Sequence, residues 1–127
     1  MIHLFLHFIK KIDMNHYETV FILNPVLSEI QIEEAVKKYE SLLESEKCKI
    51  VHKEDWGLKK LAFAIQNKNS GFYHLIQFEG EGDIINALEV EFRRDERVMR
   101  YLTVKLDTHA QAWAEKRRKK IQSKVKV

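Results

Sequence analysis

At 127 residues the chain is long enough for one domain with a hydrophobic core and too short for two comfortable ones. Its single cysteine, Cys48, excludes an internal disulfide, and with six scattered histidines it makes no zinc-ligand spacing, so a reducing, cytoplasmic setting without metal or other cofactor is expected. The net charge of +3 is unevenly spread: seven Lys or Arg and no acid fall between Lys116 and Val127, which leaves 15 bases against 19 acids in the first 115 residues.

The body is therefore slightly acidic and the end strongly basic. Such a tail usually faces water, but it also suits a polyanion, because each Lys or Arg that neutralises a phosphate releases a condensed counterion. No lipidation motif accompanies it, so nucleic acid is preferred over a membrane. Removing 116–127 is expected to leave the fold untouched.

The first dozen residues, Met1 to Ile12, are apolar and end in a basic pair. They are too few to cross a bilayer as a helix, which takes about 20 apolar residues. They also lack the leading bases and small-residue cleavage site of a signal peptide. Met14 stands directly before a strand-like run, so translation is expected to start there. The division expected is an upstream extension at 1–13, a domain at 14–108 and a basic tail at 109–127.

Tyr17 to Leu23, rich in aromatic and β-branched residues, predicts the first strand, and Asn24-Pro25 ends it. Ser28 and Gln31 make a capping box ahead of a helix from about Glu29 to Ser45, with Ile32, Val36, Tyr39 and Leu43 at helical spacing. Lys49 to Ile65 reads as one long second strand, bent at Trp56 and Gly57. In it Leu61, Phe63 and Ile65 share a face at period two, and Lys59 and Lys60 are displayed outside the core. Gln66 to Ser70 supplies a polar hairpin and Gly71 to Glu79 the third strand. After the break at Gly80-Glu81-Gly82, Asp83 is placed to cap a second helix with an inward stripe of Ile84, Ala87, Leu88 and Phe92. Arg93 to Glu96 ends that helix, and Val98 to Leu106 is the fourth strand.

The order βαββαβ with right-handed crossovers predicts an α+β, ferredoxin-like sandwich: a four-stranded antiparallel sheet in the order 4-1-3-2 with both helices on one face. The core is expected from Ile32, Val36, Leu61, Phe63, Phe72, Ile76, Leu88 and Phe92.

Motifs for catalysis are missing. A nucleophile with its base, a carboxylate pair or a phosphate-cradling glycine loop would be needed, and the four glycines complete no nucleotide motif. His16 and His74 fall on neighbouring strands where they can approach, but no carboxylate pattern orients them. No enzyme and no small-molecule substrate are expected.

One stretch carries a resemblance. Glu54-Asp55-Trp56-Gly57-Leu58-Lys59-Lys60-Leu61-Ala62-Phe63-Ala64-Ile65 resembles the most characteristic segment of the bacterial small-subunit ribosomal protein six family. Met14-Asn15-His16-Tyr17-Glu18, Asn24-Pro25 and Phe92-Arg93-Arg94-Asp95-Glu96-Arg97-Val98-Met99-Arg100 follow the same family's pattern in the right order. The likeness covers Met14 to about Leu106 and supports Met14 as the start. The extension at 1–13 has no counterpart, and Ala64 stands where similar members often have proline.

The resemblance implies a structural, RNA-binding protein of the small ribosomal subunit, joining the central domain of the ribosomal RNA together with small-subunit protein eighteen. It carries over Lys59, Lys60, Arg93, Arg94 and Arg100 as phosphate contacts, with Arg97 as a further candidate. The polyanion argument adds Lys116, Arg117, Arg118, Lys119 and Lys120 from the tail. Ion pairs from Arg93 or Arg94 to Glu89, Glu91 or Asp95 are the bland alternative. Glu54 and Asp55 would orient basic neighbours or face the protein partner. Two other readings share the fold: a single-strand-binding RNA-recognition motif, and a ligand-binding ferredoxin-like domain. Against the first, Tyr73, His74 and Gln77 occupy third-strand positions where that motif calls for a small residue and two stacking aromatics.

Overall fold

The computed structural model describes residues 15–107, 111–117 and 119. The extension at 1–13 and the expected start at Met14 lie outside the described residues. Strand β1, Asn15–Leu23, stops where Asn24 and Pro25 turn the chain. Helix α1, Glu29–Ser45, opens on the expected capping box. Ser28 Oγ accepts the Gln31 backbone N–H at 3.3 Å, and the Ser28 N–H donates to Gln31 Oε1 at 2.9 Å. Its inward stripe is Ala35, Tyr39 and Leu43, with Ile32, Val36 and Leu42 half-buried beside it.

Strands β2, Lys49–Ile65, and β3, Lys68–Gly80, are joined by Gln66 and Asn67 alone. Both sit in the left-handed region, φ 51° and 62°, the mark of a two-residue hairpin turn whose twist matches its strands. The connection is thus tighter than the expected Gln66–Ser70, and β3 starts earlier. Helix α2, Asp83–Arg94, has Gly82 at its cap position with no side-chain cap bond, so Asp83 begins the helix instead of capping it. There its charge faces the positive end of the helix dipole, as Arg93 and Arg94 complement the other end. Strand β4, Val98–Leu106, completes the expected order.

The sheet runs β2-β3-β1-β4, antiparallel throughout, which is the predicted 4-1-3-2 order read from the other edge. On one face α1 and α2 cover Tyr17, Phe21, Leu23, Ile76 and Phe78. The centre is aromatic: the Tyr39 and Phe92 rings lie 4.5 Å apart, and Phe21 sits 5.3 Å from each. A further helix, α3 at 111–117, lies against the opposite face. The segment expected as a solvated tail therefore begins with a docked helix, in which Ala114 is buried and Gln111 Nε2 donates to the Leu106 carbonyl at 3.2 Å.

Of the expected core, Leu61, Ile76, Leu88 and Phe92 are buried, and Ile32, Val36 and Phe72 are half-buried. Phe63 is not in the core: it is 79 % exposed. The β2–β3 register explains this. Lys60 pairs with Ser70 and Ile65 with Lys68, so Leu61 to Ala64 of β2 face Asn69 alone. A bulge of that size breaks the alternation on which the inward assignment of Phe63 rested. The two histidines also part company. His16 pairs across from Glu79, with Nε2 3.5 Å from its carboxylate, whereas His74 lies opposite Phe21 on the helix-covered face.

Candidate nucleic-acid interface

The bend in β2 is built by its own acids. Asp55 Oδ1 accepts the Gly57 N–H at 2.8 Å, and Gly57 takes φ 72°, a region a side chain would strain. Trp56 is thereby left out of the ladder; its ring stacks over Tyr73 at 6.1 Å and its indole N–H donates to Glu54 Oε1 at 3.2 Å. The other Glu54 oxygen receives His52 Nε2 at 3.1 Å and Arg117 Nη2 at 3.2 Å. Arg117 also approaches Glu18 Oε2 at 3.7 Å, and that oxygen accepts from Gln77 Nε2 at 3.0 Å. Glu54 thus orients Trp56, His52 and Arg117, and Asp55 shapes the turn. Lys59 and Lys60, just past the bend, are exposed and form no ion pair among the described residues.

The second basic segment divides in the same way. Arg93 and Arg94, in the last turn of α2, are exposed and make none of the expected ion pairs among the described residues. Arg97 is committed internally. Its Nε and Nη2 each donate to Asp95 at 2.9 Å, and its backbone N–H donates to Oδ1 at 3.0 Å. The Tyr39 hydroxyl donates to the same carboxylate at 2.7 Å, and Lys38 Nζ lies 3.5 Å away. Burial alone would push the Asp95 carboxyl up, but the bonds from Arg97 and Tyr39 outweigh it and hold the group below the usual carboxylate range. Burial, reinforced by Asp95, pushes the Tyr39 hydroxyl up. Arg97 is accordingly a clasp on the turn between α2 and β4. Arg100 follows on β4, exposed, across from Ile22.

The sheet brings the two segments to one end of the molecule. Arg100, Ile22, Tyr73 and Gly57 form one continuous row across all four strands, and Val98, Leu23, Phe72 and Leu58 form an adjacent one. Lys59 and Lys60 continue β2 beyond these rows, while Arg93 and Arg94 lead into β4. With β2 and β4 as the outer strands, three spacings of about 4.8 Å put the two basic groups about 14 Å apart across the sheet. On α3, Lys116 is exposed and Arg117 turns inward; Lys119 just past it is exposed, and the expected contacts Arg118 and Lys120 lie outside the described residues.

Comparison with known proteins decides the family. The family model described as ribosomal protein S6 matches residues 16–105. The chain belongs to the ribosomal protein S6 family. A curated relative from Christiangramia forsetii, named small ribosomal subunit protein bS6, is 68 % identical over 111 residues, covering 87 % of this chain and 99 % of the relative. One of the same name from Phocaeicola vulgatus is 56 % identical over 105 residues, covering 83 % and 92 %. The crystal structure of 30S ribosomal protein S6 from Thermotoga maritima superposes with a TM-score of 0.71 at 29 % identity, covering 86 % of this chain and 98 % of that one. Membership of the S6 family makes the chain a structural, non-enzymatic component of the small ribosomal subunit.

For an S6 family member the sheet face turned away from α1 and α2 is a poor base-stacking platform of the RNA-recognition type, because α3 lies against it and Leu75 and Gln77 are buried there. Val20, Ile22, Leu75 and Gln77 line its two central strands with a single aromatic, Tyr73, whose ring is taken by Trp56. His74 points the other way and stacks on Phe21 at 5.6 Å. Among the described residues no cluster could hold a metal ion, and no helix is long and apolar enough to cross a membrane. Cys48 is buried, and desolvation pushes its thiol up to about 11, which leaves it unreactive near neutrality. The inward turn of Arg117 was missed by sequence reasoning. The alanine-rich run Ala110-Gln111-Ala112-Trp113-Ala114 was the available signal for a helix there.

Proposed function

We propose that the chain holds its place in the small subunit, in the cytoplasm, by binding the central domain of the small-subunit ribosomal RNA jointly with small-subunit protein eighteen. The observation that carries this reading is the set Lys59, Lys60, Arg93, Arg94 and Arg100 at one end of the sheet, exposed and without an ion pair among the described residues. Lysines act there as mobile point charges and arginines as planar forks for phosphate oxygens. Arg97 supports the site by fixing the turn that presents Arg93 and Arg94. Lys116 and Lys119, with Arg118 and Lys120 of the same run, add salt-sensitive attraction without readout.

The contacts are to phosphate and sugar. The set lies on strands and at the end of a helix, with no helix aimed to enter a groove, and the major groove of double-stranded RNA is deep, narrow and closed to side chains. The test is a titration of central-domain RNA, with and without the partner protein, at several salt concentrations. Replacing Lys59 and Lys60 together by Ala should weaken binding and reduce the slope of log affinity against log salt by about 0.7 to 0.9 per lost contact, with discrimination between related RNAs kept. An unchanged slope with lost discrimination would refute phosphate contact. Binding of short single strands without the partner would favour an RNA-recognition motif.

A further inference from the structure

Phe63 is a large ring left in water on a strand that has core to offer it. Leaving such a side chain uncovered forgoes its burial, so a cover is expected in the working assembly. Its surroundings say what the cover is. The pairing of β1 with β3 ends at Leu23 and Phe72, so residues 59–65 and 68–71 form a two-stranded ribbon that reaches past the sheet. From Trp56 to Phe78 there is no acid at all, while Lys59, Lys60 and Lys68 lie on the ribbon. The ring rises from a bulge in which four residues of β2 face one of β3, so it projects clear of the pleat.

An exposed aromatic ring in a carboxylate-free, cationic setting matches one chemistry: a flat, uncharged ring joined to anionic phosphates. A paired helix presents no ring face, whereas the nucleotides of a loop, bulge or junction do. We infer that Phe63 stacks on an unpaired base of the ribosomal RNA while Lys59 and Lys60 hold the flanking phosphates. This rests on the reading that the basic end faces RNA, and it adds a residue that touches a base to a set that touches only backbone. Base stacking on aromatic rings tolerates any base, so Phe63 selects an unpaired nucleotide rather than a sequence.

The experiment uses the full chain, the partner protein and a transcript of the central domain, and compares Phe63→Ala, Phe63→Leu and Phe63→Trp with the Lys59→Ala, Lys60→Ala pair. Phe63→Ala and Phe63→Leu should weaken RNA binding roughly 5- to 100-fold with an unchanged salt slope, and Phe63→Trp should bind like the parent. Chemical probing should find a nucleotide protected by the parent chain and reactive with Phe63→Ala. Thermal midpoints should be alike in all three, because the ring is not in the core. Parent-like RNA binding by Phe63→Ala overturns the inference. So does parent-like binding by Phe63→Leu, which would mark a plain apolar contact such as a protein surface. If the lysine pair then still flattens the salt dependence, the phosphate site stands and only the stacking falls; a silent lysine pair sinks the phosphate site itself.

Discussion

Arg117 Nη2 lies 3.2 Å from Glu54 Oε2, a contact across 63 positions that pins α3 to the bend of β2. Arg117 is also 5.4 Å from the Trp113 ring one helical turn earlier, so the guanidinium is held between an indole and two carboxylates. The helix is therefore part of the domain. Arg117→Ala strands Glu54 and Glu18 in a half-buried setting, and we expect it to destabilise the chain by about 1 to 2 kcal/mol in urea unfolding. Glu54→Gln should shrink that effect, since the two side chains are coupled. A midpoint indifferent to Arg117→Ala would mean that α3 does not dock.

Asp95 sets an acid limit on stability. Its carboxyl is held low by Arg97 and Tyr39 against the opposing effect of burial, and its side chain is 5 % exposed. A depressed folded value stabilises the fold fully above the unfolded value of about 3.9, and that contribution fades as pH falls through the folded value. Asp95→Asn should cost about 1.5 to 3 kcal/mol at pH 7 and flatten the loss of stability below pH 4. Arg97→Ala should give a similar loss and weaken RNA binding by loosening the turn that presents Arg93 and Arg94. Urea unfolding at pH 7 and pH 3 reads the first effect, and RNA titration the second.

His74 acts in a higher window. Burial lowers its pKa, against Asp55 and Glu40, and its Nε2 has no hydrogen-bond partner among the described residues. The unfolded chain therefore binds the extra proton first. The contribution of the neutral ring is complete above about pH 6.5 and declines as pH falls through that value. His74→Phe keeps a ring against Phe21 and removes the titration, so its unfolding midpoint should stay level between pH 7 and pH 5 where the parent's drops. Parallel curves for the two proteins would place the acid sensitivity elsewhere.

Two phenylalanines on the same domain should respond oppositely. Phe92 is fully enclosed by Phe21, Tyr39 and Tyr101, and Phe92→Ala should cost about 3 to 5 kcal/mol through lost transfer energy and the cavity left behind. Phe63→Ala should fall within about 0.5 kcal/mol of the parent, as surface changes do. Equilibrium unfolding of both variants checks the contrast, and a large loss for Phe63→Ala would return that ring to the interior.

What the sequence discloses here is whatever depends on neighbours in the chain. The capping box at Ser28 and Gln31, the proline stop at Pro25 and the stripe of Ile84, Leu88 and Phe92 each follow from spacing, and the structure repeats them. The failures share a different cause. Period two points Phe63 inward, but a bulge is a relation between strands and leaves no trace in the alternation of one. Arg97 and Arg94 look alike in sequence, yet only Arg97 reaches back to Asp95 across the turn, and only the fold shows which arginine is spent. Arg117 reads in sequence as one more phosphate contact of the tail because its partners, Glu18 and Glu54, are distant in the chain. Charge runs disclose that a surface is basic; they do not disclose which members remain free.

The position of β1 in the sheet fixes when this protein can exist. It is translated first among the described strands, yet its neighbours are β3 and β4, and the Thr19–Thr103 hydrogen bond at 2.8 Å joins residues 84 apart. A central strand whose partners lie so far downstream must wait for them, and non-local pairing of this kind folds slowly and leaves apolar surface open meanwhile. With β4 downstream of the other three strands, the nascent chain cannot close its sheet until Val98–Leu106 has been synthesised. A component of the ribosome thus acquires its shape only once its fourth strand has emerged.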